Sequence, residues 1–124
     1  MRMRRKRNLE SRMEACSGVL LARGRPCLNL REAEENFRAL LDFDKVFGNS
    51  HPVELEVGSG CGAFIETLAL RETEVNFLCV EVCTNVVLTA MERALRAGIP
   101  NVRFLNIPAE IMRCYIREES VRKI

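Results

Sequence analysis

The sequence has one histidine, no C-x-x-C pair and no long apolar run, and each shortage argues against a class of function. With His51 alone and no paired cysteines, the spacing that a zinc site requires is absent. No Ser/His/Asp or Cys/His set can be assembled for covalent catalysis. No apolar run approaches the roughly 18 residues of a membrane span, and no apolar segment follows the basic start as a secretory signal requires. We therefore expect neither a membrane span nor a metal site.

Six cysteines are scattered over the 124 residues, at positions 16, 27, 61, 79, 83 and 114. Reduced thiols in a reducing cytosol explain this spacing best, which predicts a cytoplasmic protein. Cys79 and Cys83 are close enough to suggest a metal or redox pair, but this is the weaker interpretation. The length allows one domain at most and is short for a complete doubly wound sheet.

The net charge of +2 is unevenly distributed along the chain. Six basic residues against one acid give residues 1–12 a charge of +5, which leaves −3 for the remainder. A basic arm before a near-neutral body predicts a polyanion partner, and RNA phosphates suit it. The arm lacks apolar periodicity, so we expect it to be disordered in isolation. The candidate RNA-binding residues are Arg2, Arg4, Arg5, Lys6 and Arg7.

Residues 52–64 are the most informative stretch of the chain. Apolar residues alternate with acids over 53–57, which predicts a strand. Glycines follow at positions 58, 60 and 62, and an apolar helical run begins at Ala63. A strand, a glycine turn and a helix together expose backbone N–H groups at a helix N-terminus, where a nucleotide-like ligand can approach closely. The stretch therefore predicts a nucleotide-like ligand site.

The glycine spacing fits two ligand classes. Gly58-x-Gly60-x-x-Ala63 matches a dinucleotide fingerprint. Led by Glu56, the same loop matches that of methyltransferases that use S-adenosyl-L-methionine (SAM), with Gly62 as its third glycine. A carboxylate at the strand end repels a pyrophosphate but suits a ligand that carries an ammonium and a sulfonium cation. The acid therefore favours SAM.

A second acid ends the next strand-like run. Glu81 lies 23 residues after Gly58, where an acid can bind ribose hydroxyls. Both ligand classes share this feature, so it supports a nucleoside without naming it. The alternative is that Glu54 and Glu56 are ordinary solvent-facing acids of an edge strand.

Strands and helices alternate after the glycine loop. This order predicts an α/β, Rossmann-like SAM-dependent methyltransferase fold with a doubly wound parallel sheet. We expect strands at about 76–81 and 102–107, and helices at about 63–70, 84–97 and 109–117. A further helix should run from Asn29 to about Leu41. Ligands bind such sheets beyond the carboxyl ends of the strands, where Glu56, the glycine loop, Glu81 and residues 108–110 fall together.

Details of the helices follow from their apolar stripes and caps. Phe64 should face inward from the first crossover helix, and Leu95 should join the apolar stripe of the next. Thr84 or Asn85 should cap that second helix, and Gly98 should end it.

The segment 121–124 resembles the beginning of a fourth strand. With about three to four strands, we expect an incomplete domain. Residues 1–28 should form a basic arm and lead-in segment. Residues 29–124 should form the amino-terminal half of a SAM-binding domain, which stops before the catalytic segment. Three parallel strands would leave an apolar edge unpaired.

The chain resembles the bacterial tRNA (guanine-N7)-methyltransferases, and within them a group from low-GC Gram-positive bacteria. The resemblance covers nearly the whole chain. It rests on the segments Arg2–Lys6, Arg12–Glu14, Val46–Asn49, Val53–Gly58, Val75–Glu81 and Pro100–Phe104.

The resemblance implies transfer of a methyl group from SAM to N7 of a guanine in the tRNA variable loop. It implies tRNA as partner and no catalytic residue within this chain, because the family's catalytic aspartate follows the fourth strand. The implied cofactor contacts are Glu56, Gly58, Ser59, Gly60, Gly62, Glu81, Pro108 and Ala109.

Some positions depart from the family pattern. The family usually has a lysine where Cys61 stands and a cysteine where Ser59 stands, and it often has an aspartate at the position of Pro108. A proline offers no carboxylate and no N–H donor. Two alternatives stay open: a non-catalytic RNA- or nucleoside-binding module with a basic arm, and a dinucleotide-dependent oxidoreductase.

Overall fold

The computed structural model describes residues 5–24, 41–58, 60, 62–116 and 120–122. The strands are β1 (Leu20–Arg23), β2 (Val53–Val57), β3 (Asn76–Val80) and β4 (Val102–Asn106). The helices are α1 (Leu9–Ala15), α2 (Phe43–Phe47), α3 (Ala63–Arg71) and α4 (Thr84–Ala97), followed by a 3₁₀ helix (Ala109–Cys114). All strand pairs are parallel, in the order β1-β4-β3-β2. The predicted α/β class with a parallel sheet is confirmed.

Burial along the strands follows their position in the sheet. β3 lies between β4 and β2 and is buried at every residue. At the edge of the described sheet, β2 buries Val53 and Leu55 but leaves Glu54 and Glu56 half-buried. Successive side chains of a strand point to opposite faces, so the alternation of acids and apolar residues in β2 records its edge position.

Helices cover both faces of the sheet. α1, α3 and α4 pack on one face, where Val87, Leu88 and Met91 of α4 are fully buried in the core. α2 and the 3₁₀ helix pack on the other face, over Leu78 and Leu105. The fold therefore has three layers, with the sheet in the middle, as the Rossmann-like interpretation requires.

A buried asparagine holds the amino end of the sheet together. The side-chain amide of Asn101 donates to the carbonyls of Ala69, Glu72 and Val75 at 3.1, 3.1 and 2.9 Å. These carbonyls belong to the end of α3 and the turn into β3, where helix carbonyls need donors from outside the helix; that of Glu72 also accepts from the Val75 N–H at 3.2 Å. Asn101 thereby fixes where β3 begins relative to β4.

The amino-terminal region is more ordered than its sequence suggests. The expected disorder concerns the isolated arm, whereas within the fold Leu9 to Arg12 lie in α1, where Leu9 and Met13 are buried. The chain then forms β1, which pairs with β4 and supplies the fourth strand of the sheet. Neither element has the long periodic pattern that identifies a helix or strand in sequence.

Three details of the helices differ from expectation. Phe64 is 64% exposed and Leu95 is 45% exposed, so neither faces the core. The N-cap of α4 is Cys83, without a side-chain cap, because the Thr84 hydroxyl donates to Asn106 instead. Gly98 does end α4, with φ +66°. The predicted helix over 29–41 lies, except for its last residue, outside the described residues.

The predicted fourth strand at 121–124 is not a strand at the two positions described. Residues 123 and 124 lie outside the described ranges. The backbone N–H of Arg122 nevertheless donates to the Val53 carbonyl at 2.7 Å, and its guanidinium pairs with Glu54. This segment therefore lies against the outer edge of β2.

Candidate functional site at the carboxyl edge of the sheet

The glycine loop leaves β2 in a conformation that favours glycine. Gly58, Gly60 and Gly62 have φ values of +72°, +61° and +89°. A side chain would be strained at each of them. The N–H of Gly58 donates to the Val80 carbonyl at 2.8 Å, so it extends the pairing of β2 with β3. Gly62 is the N-cap of α3.

Gly62 also allows a close approach between the loop and α4. A Cβ added at Gly62 would lie 2.9 Å from both Cα and Cβ of Ala90, closer than real carbon atoms pack. The loop therefore lies directly against the helix backbone. The lack of a side chain at Gly62 is therefore what allows the loop to pack against α4.

Both predicted acids lie beside this loop. β2 and β3 are in register at Glu56 and Cys79, and at Val57 and Val80, so Glu81 follows directly beyond the pairing. The Glu81 N–H donates to the Leu105 carbonyl at 3.0 Å, which fixes its backbone to β4. Glu56 and Glu81 are both half-buried residues. Two acids beside a bare-backbone loop suit a cationic ligand with ribose hydroxyls.

Asn106 organises the edge, and the sequence interpretation missed it. It is 3% exposed, and its side-chain amide donates to the carbonyls of Glu81 and Val82 at 2.9 and 3.2 Å. Its side-chain oxygen accepts from the Thr84 hydroxyl at 3.1 Å. One buried amide thus holds the end of β4, the turn after β3 and the start of α4. An asparagine within an otherwise apolar strand was the available signal.

Pro108 and Ala109 complete the edge as predicted by position. Pro108 is half-buried and is the N-cap of the 3₁₀ helix, while Ala109 is exposed. A cavity of about 90 Å³ lies here, lined by Gly24, Val82, Thr84, Asn106 and Pro108. Ser59, the remaining predicted loop contact, lies outside the described residues.

The basic arm reaches the same edge. The backbone N–H of Lys6 donates to the Asn85 side-chain oxygen at 3.2 Å, in the first turn of α4. Arg5, Lys6 and Arg7 therefore lie near the carboxyl end of β3, whereas Arg2 and Arg4 are outside the described ranges.

An ion pair fastens the arm further along α4. Two nitrogens of the Arg12 guanidinium donate to the Glu92 carboxylate, Nε at 2.9 Å. The hydrogen bond from Arg12 holds the pKa of Glu92 below its ordinary value. The pair joins α1 to the middle of α4, so the arm is held to α4 at Lys6 and at Arg12.

Other polar groups lie away from this edge. His51 is exposed and lines a cavity of about 410 Å³ at the amino end of β2, the opposite edge of the sheet. Burial raises the pKa of the Cys16 thiol, which therefore stays protonated. Within the described ranges, no group of His, Cys, Asp or Glu is arranged to hold a metal ion. No helix there combines the length and apolarity that crossing a membrane requires.

A parallel sheet with helices on both faces, a glycine loop after one strand and an acid after the next defines a Rossmann-like domain. Comparison with known families is more specific. Residues 50–124 match the family described as "Putative methyltransferase", and the chain belongs to that family.

Several curated relatives carry a more specific name. A tRNA (guanine-N(7)-)-methyltransferase of Streptococcus equi subsp. equi is 39% identical over 71 residues, which are 57% of this chain and 34% of that protein. The protein of the same name from Bacillus velezensis is 33% identical over 82 residues, which are 66% of this chain and 38% of that protein. The matched part of the chain thus spans little more than a third of their length.

A solved structure of an antibiotic-related methyltransferase is similar to this chain, with a TM-score of 0.47 and 17% sequence identity. The match covers 70% of this chain and 43% of the chain in that structure. The fold assignment itself rests on the strand order and connections of the chain.

Proposed function

We propose that this chain is the cofactor-binding part of a SAM-dependent tRNA (guanine-N7)-methyltransferase. The observation that carries the proposal is the convergence of four features on one sheet edge: the glycine loop, Glu56, Glu81 and the basic arm. The relatives named above support the reaction, and the arm supports a tRNA substrate. Such a substrate would be met in the cytoplasm.

The residues would bind and orient rather than exchange protons. SAM, when bound, supplies a methyl group carried on a sulfonium. The lone pair of guanine N7 can take this methyl group without the help of a base, and the sulfur keeps the electrons of the broken C–S bond. The Glu56 carboxylate would face the cationic end of the ligand, and Glu81 would accept hydrogen bonds from ribose hydroxyls. The rate would come mainly from alignment of N7 with the methyl group and sulfur.

Asn106 would act as a positioning residue in this scheme. By holding the Glu81 and Val82 carbonyls, it keeps the ribose-side acid in place before the ligand arrives. The arm would contribute phosphate contacts, which give affinity and orientation without reading sequence.

Titration with S-adenosylhomocysteine tests the cofactor part of the proposal. Glu81→Gln should weaken binding about tenfold or more, as for the loss of hydrogen bonds to a charged group. Glu74→Gln is the matched control, because it removes the same charge from an exposed turn before β3, at the opposite edge. Equal affinity of the two variants would refute the role of Glu81.

Two further measurements separate the alternatives. Binding of tRNA at two salt concentrations, together with detection of N7-methylguanosine by mass spectrometry of nucleosides, tests the substrate. RNA binding without any cofactor binding would favour a non-catalytic module. Binding of NAD that survives Glu56→Ala would favour an oxidoreductase.

A further inference from the structure

Arg23, which the proposed function does not use, is held rigidly at the carboxyl edge of the sheet. It is the last residue of β1 and lies in register with Asn106 of β4. The next N–H, that of Gly24, donates to the Asn106 carbonyl at 2.9 Å. Since Asn106 also holds the Glu81 carbonyl, Arg23 is fixed one strand away from the candidate cofactor site.

Two guanidinium groups converge on the single carboxylate of Glu10. Arg23 donates to it through Nη1 and Nη2 at 2.7 and 3.2 Å, and Arg5 donates at 3.3 Å. Arg23 comes from the sheet and Arg5 from the basic arm, so the cluster joins both parts of the edge. Guanidinium pairs of this kind match the oxygens of a phosphate as well as those of a carboxylate.

The ion pairs that hold the Glu10 carboxylate in this cluster are exposed to solvent. The side chains of Glu10, Arg5 and Arg23 are 60%, 67% and 38% exposed. Ion pairs between such exposed groups contribute little to stability and are screened by salt. Two cations against one anion also leave the cluster positive, and Lys6 and Arg7 extend that charge along the arm.

We propose that Arg5 and Arg23 form a binding site for one backbone phosphate of the RNA substrate, and that Glu10 occupies this site until the RNA displaces it. The proposal rests on the proposed function for the identity of the polyanion. It adds Arg23 to the RNA-binding residues and makes Glu10 an internal competitor that weakens binding. A phosphodiester of RNA fits better than a free phosphate ion, because the positive charge continues along the arm beyond the two arginines.

The test compares Glu10→Gln with Glu14→Gln in tRNA binding by the full chain. Glu14 is an exposed acid of the same helix, so both variants raise the net charge by one. Glu10→Gln should bind tRNA about threefold more tightly than Glu14→Gln, because the RNA phosphate no longer has to displace a carboxylate from an exposed ion pair. Equal binding by the two variants would overturn the proposal.

Arg23→Ala shows whether the gain acts through this cluster. It should weaken tRNA binding in the wild-type background and should abolish most of the advantage of Glu10→Gln when the two are combined. An undiminished advantage in the double variant would overturn the proposal. The tighter tRNA binding of Glu10→Gln should also persist when inorganic phosphate replaces chloride at matched ionic strength. If it is lost in the phosphate buffer, the site binds free phosphate and not the RNA backbone.

These outcomes are separate from the fate of the proposed function. If wild-type chain and all variants fail to bind tRNA, the assignment of RNA as partner fails. If tRNA binds and the variants behave alike, only the role of Glu10 and Arg23 fails.

Discussion

The side-chain amide of Asn106 donates to the Glu81 carbonyl at 2.9 Å and so couples the end of β4 to the acid that follows β3. This bond crosses the edge at which the candidate cofactor site lies. It means that the position of Glu81 depends on a residue 25 positions later in the chain, in another strand.

Asn106→Ala should therefore affect both stability and cofactor binding. It removes a buried side-chain amide and leaves the part-buried carbonyls of Glu81 and Val82 without this donor, which should lower the free energy of unfolding by about 1–3 kcal/mol. Affinity for S-adenosylhomocysteine should also fall, by about tenfold, which equals about 1.4 kcal/mol. Urea denaturation and calorimetric titration measure the two effects.

Asn101→Ala is the control, because Asn101 makes the same kind of buried contacts at the amino end of the sheet. It should cost similar stability and leave the affinity of the folded protein unchanged. If both variants lose affinity alike, Asn106 has no special role in positioning Glu81.

Gly62→Ala should destabilise the protein much more than Gly48→Ala. Both glycines have a positive φ, so an alanine at either position costs about 1–2 kcal/mol of backbone strain. Nothing lies within 4 Å of a Cβ at Gly48, whereas one at Gly62 would meet Ala90 at 2.9 Å. That crowding should add about 1–3 kcal/mol. Equal denaturation midpoints would show that the loop can move away from α4.

Local spacing predicted the glycine loop and the second acid correctly in position. The alternating strand before Gly58 and the acid after β3 are patterns within a few residues, and parallel strands bring their carboxyl ends to one edge. The same kind of local signal predicted where α4 ends, because glycine is a strong helix stop and Gly98 follows the last residue of α4.

Contacts between distant segments account for what the sequence did not reveal. β1 is only four residues long and half-buried, and its place in the sheet is set by pairing with β4, 84 residues later at Leu20 and Phe104. α1 is marginal by itself and is held by the burial of Leu9 and Met13. Phe64 shows the converse: helical spacing placed it inward, but the buried side of α3 is the one that carries Ile65 and Ala69, and Phe64 faces solvent.

Glu92→Gln should remove a pH-dependent part of the stability. Since the hydrogen bond from Arg12 lowers the pKa of Glu92 in the folded state, the pair stabilises the fold above pH about 4.5, the ordinary pKa of a glutamate. That contribution is lost as the pH falls through the lowered pKa. Wild type should therefore be more stable than Glu92→Gln at neutral pH, and the difference should shrink on acidification. A difference in melting temperature that does not change with pH would contradict this account.

Pro108→Asp should strengthen cofactor binding. Pro108 lines the small cavity beside Val82 and Asn106, and it has neither an N–H nor a carboxylate to offer a ligand there. The resemblance to the guanine-N7 methyltransferases implies an aspartate at this position in many relatives. Aspartate would add both groups, and one hydrogen bond to a charged group is worth about 1.5–3 kcal/mol, so affinity should rise about tenfold or more.

Pro108→Ala is the control, because it restores the N–H alone. If alanine and aspartate give the same affinity in calorimetric titration, the carboxylate does not reach the ligand, and Pro108 is a neutral variant of the site.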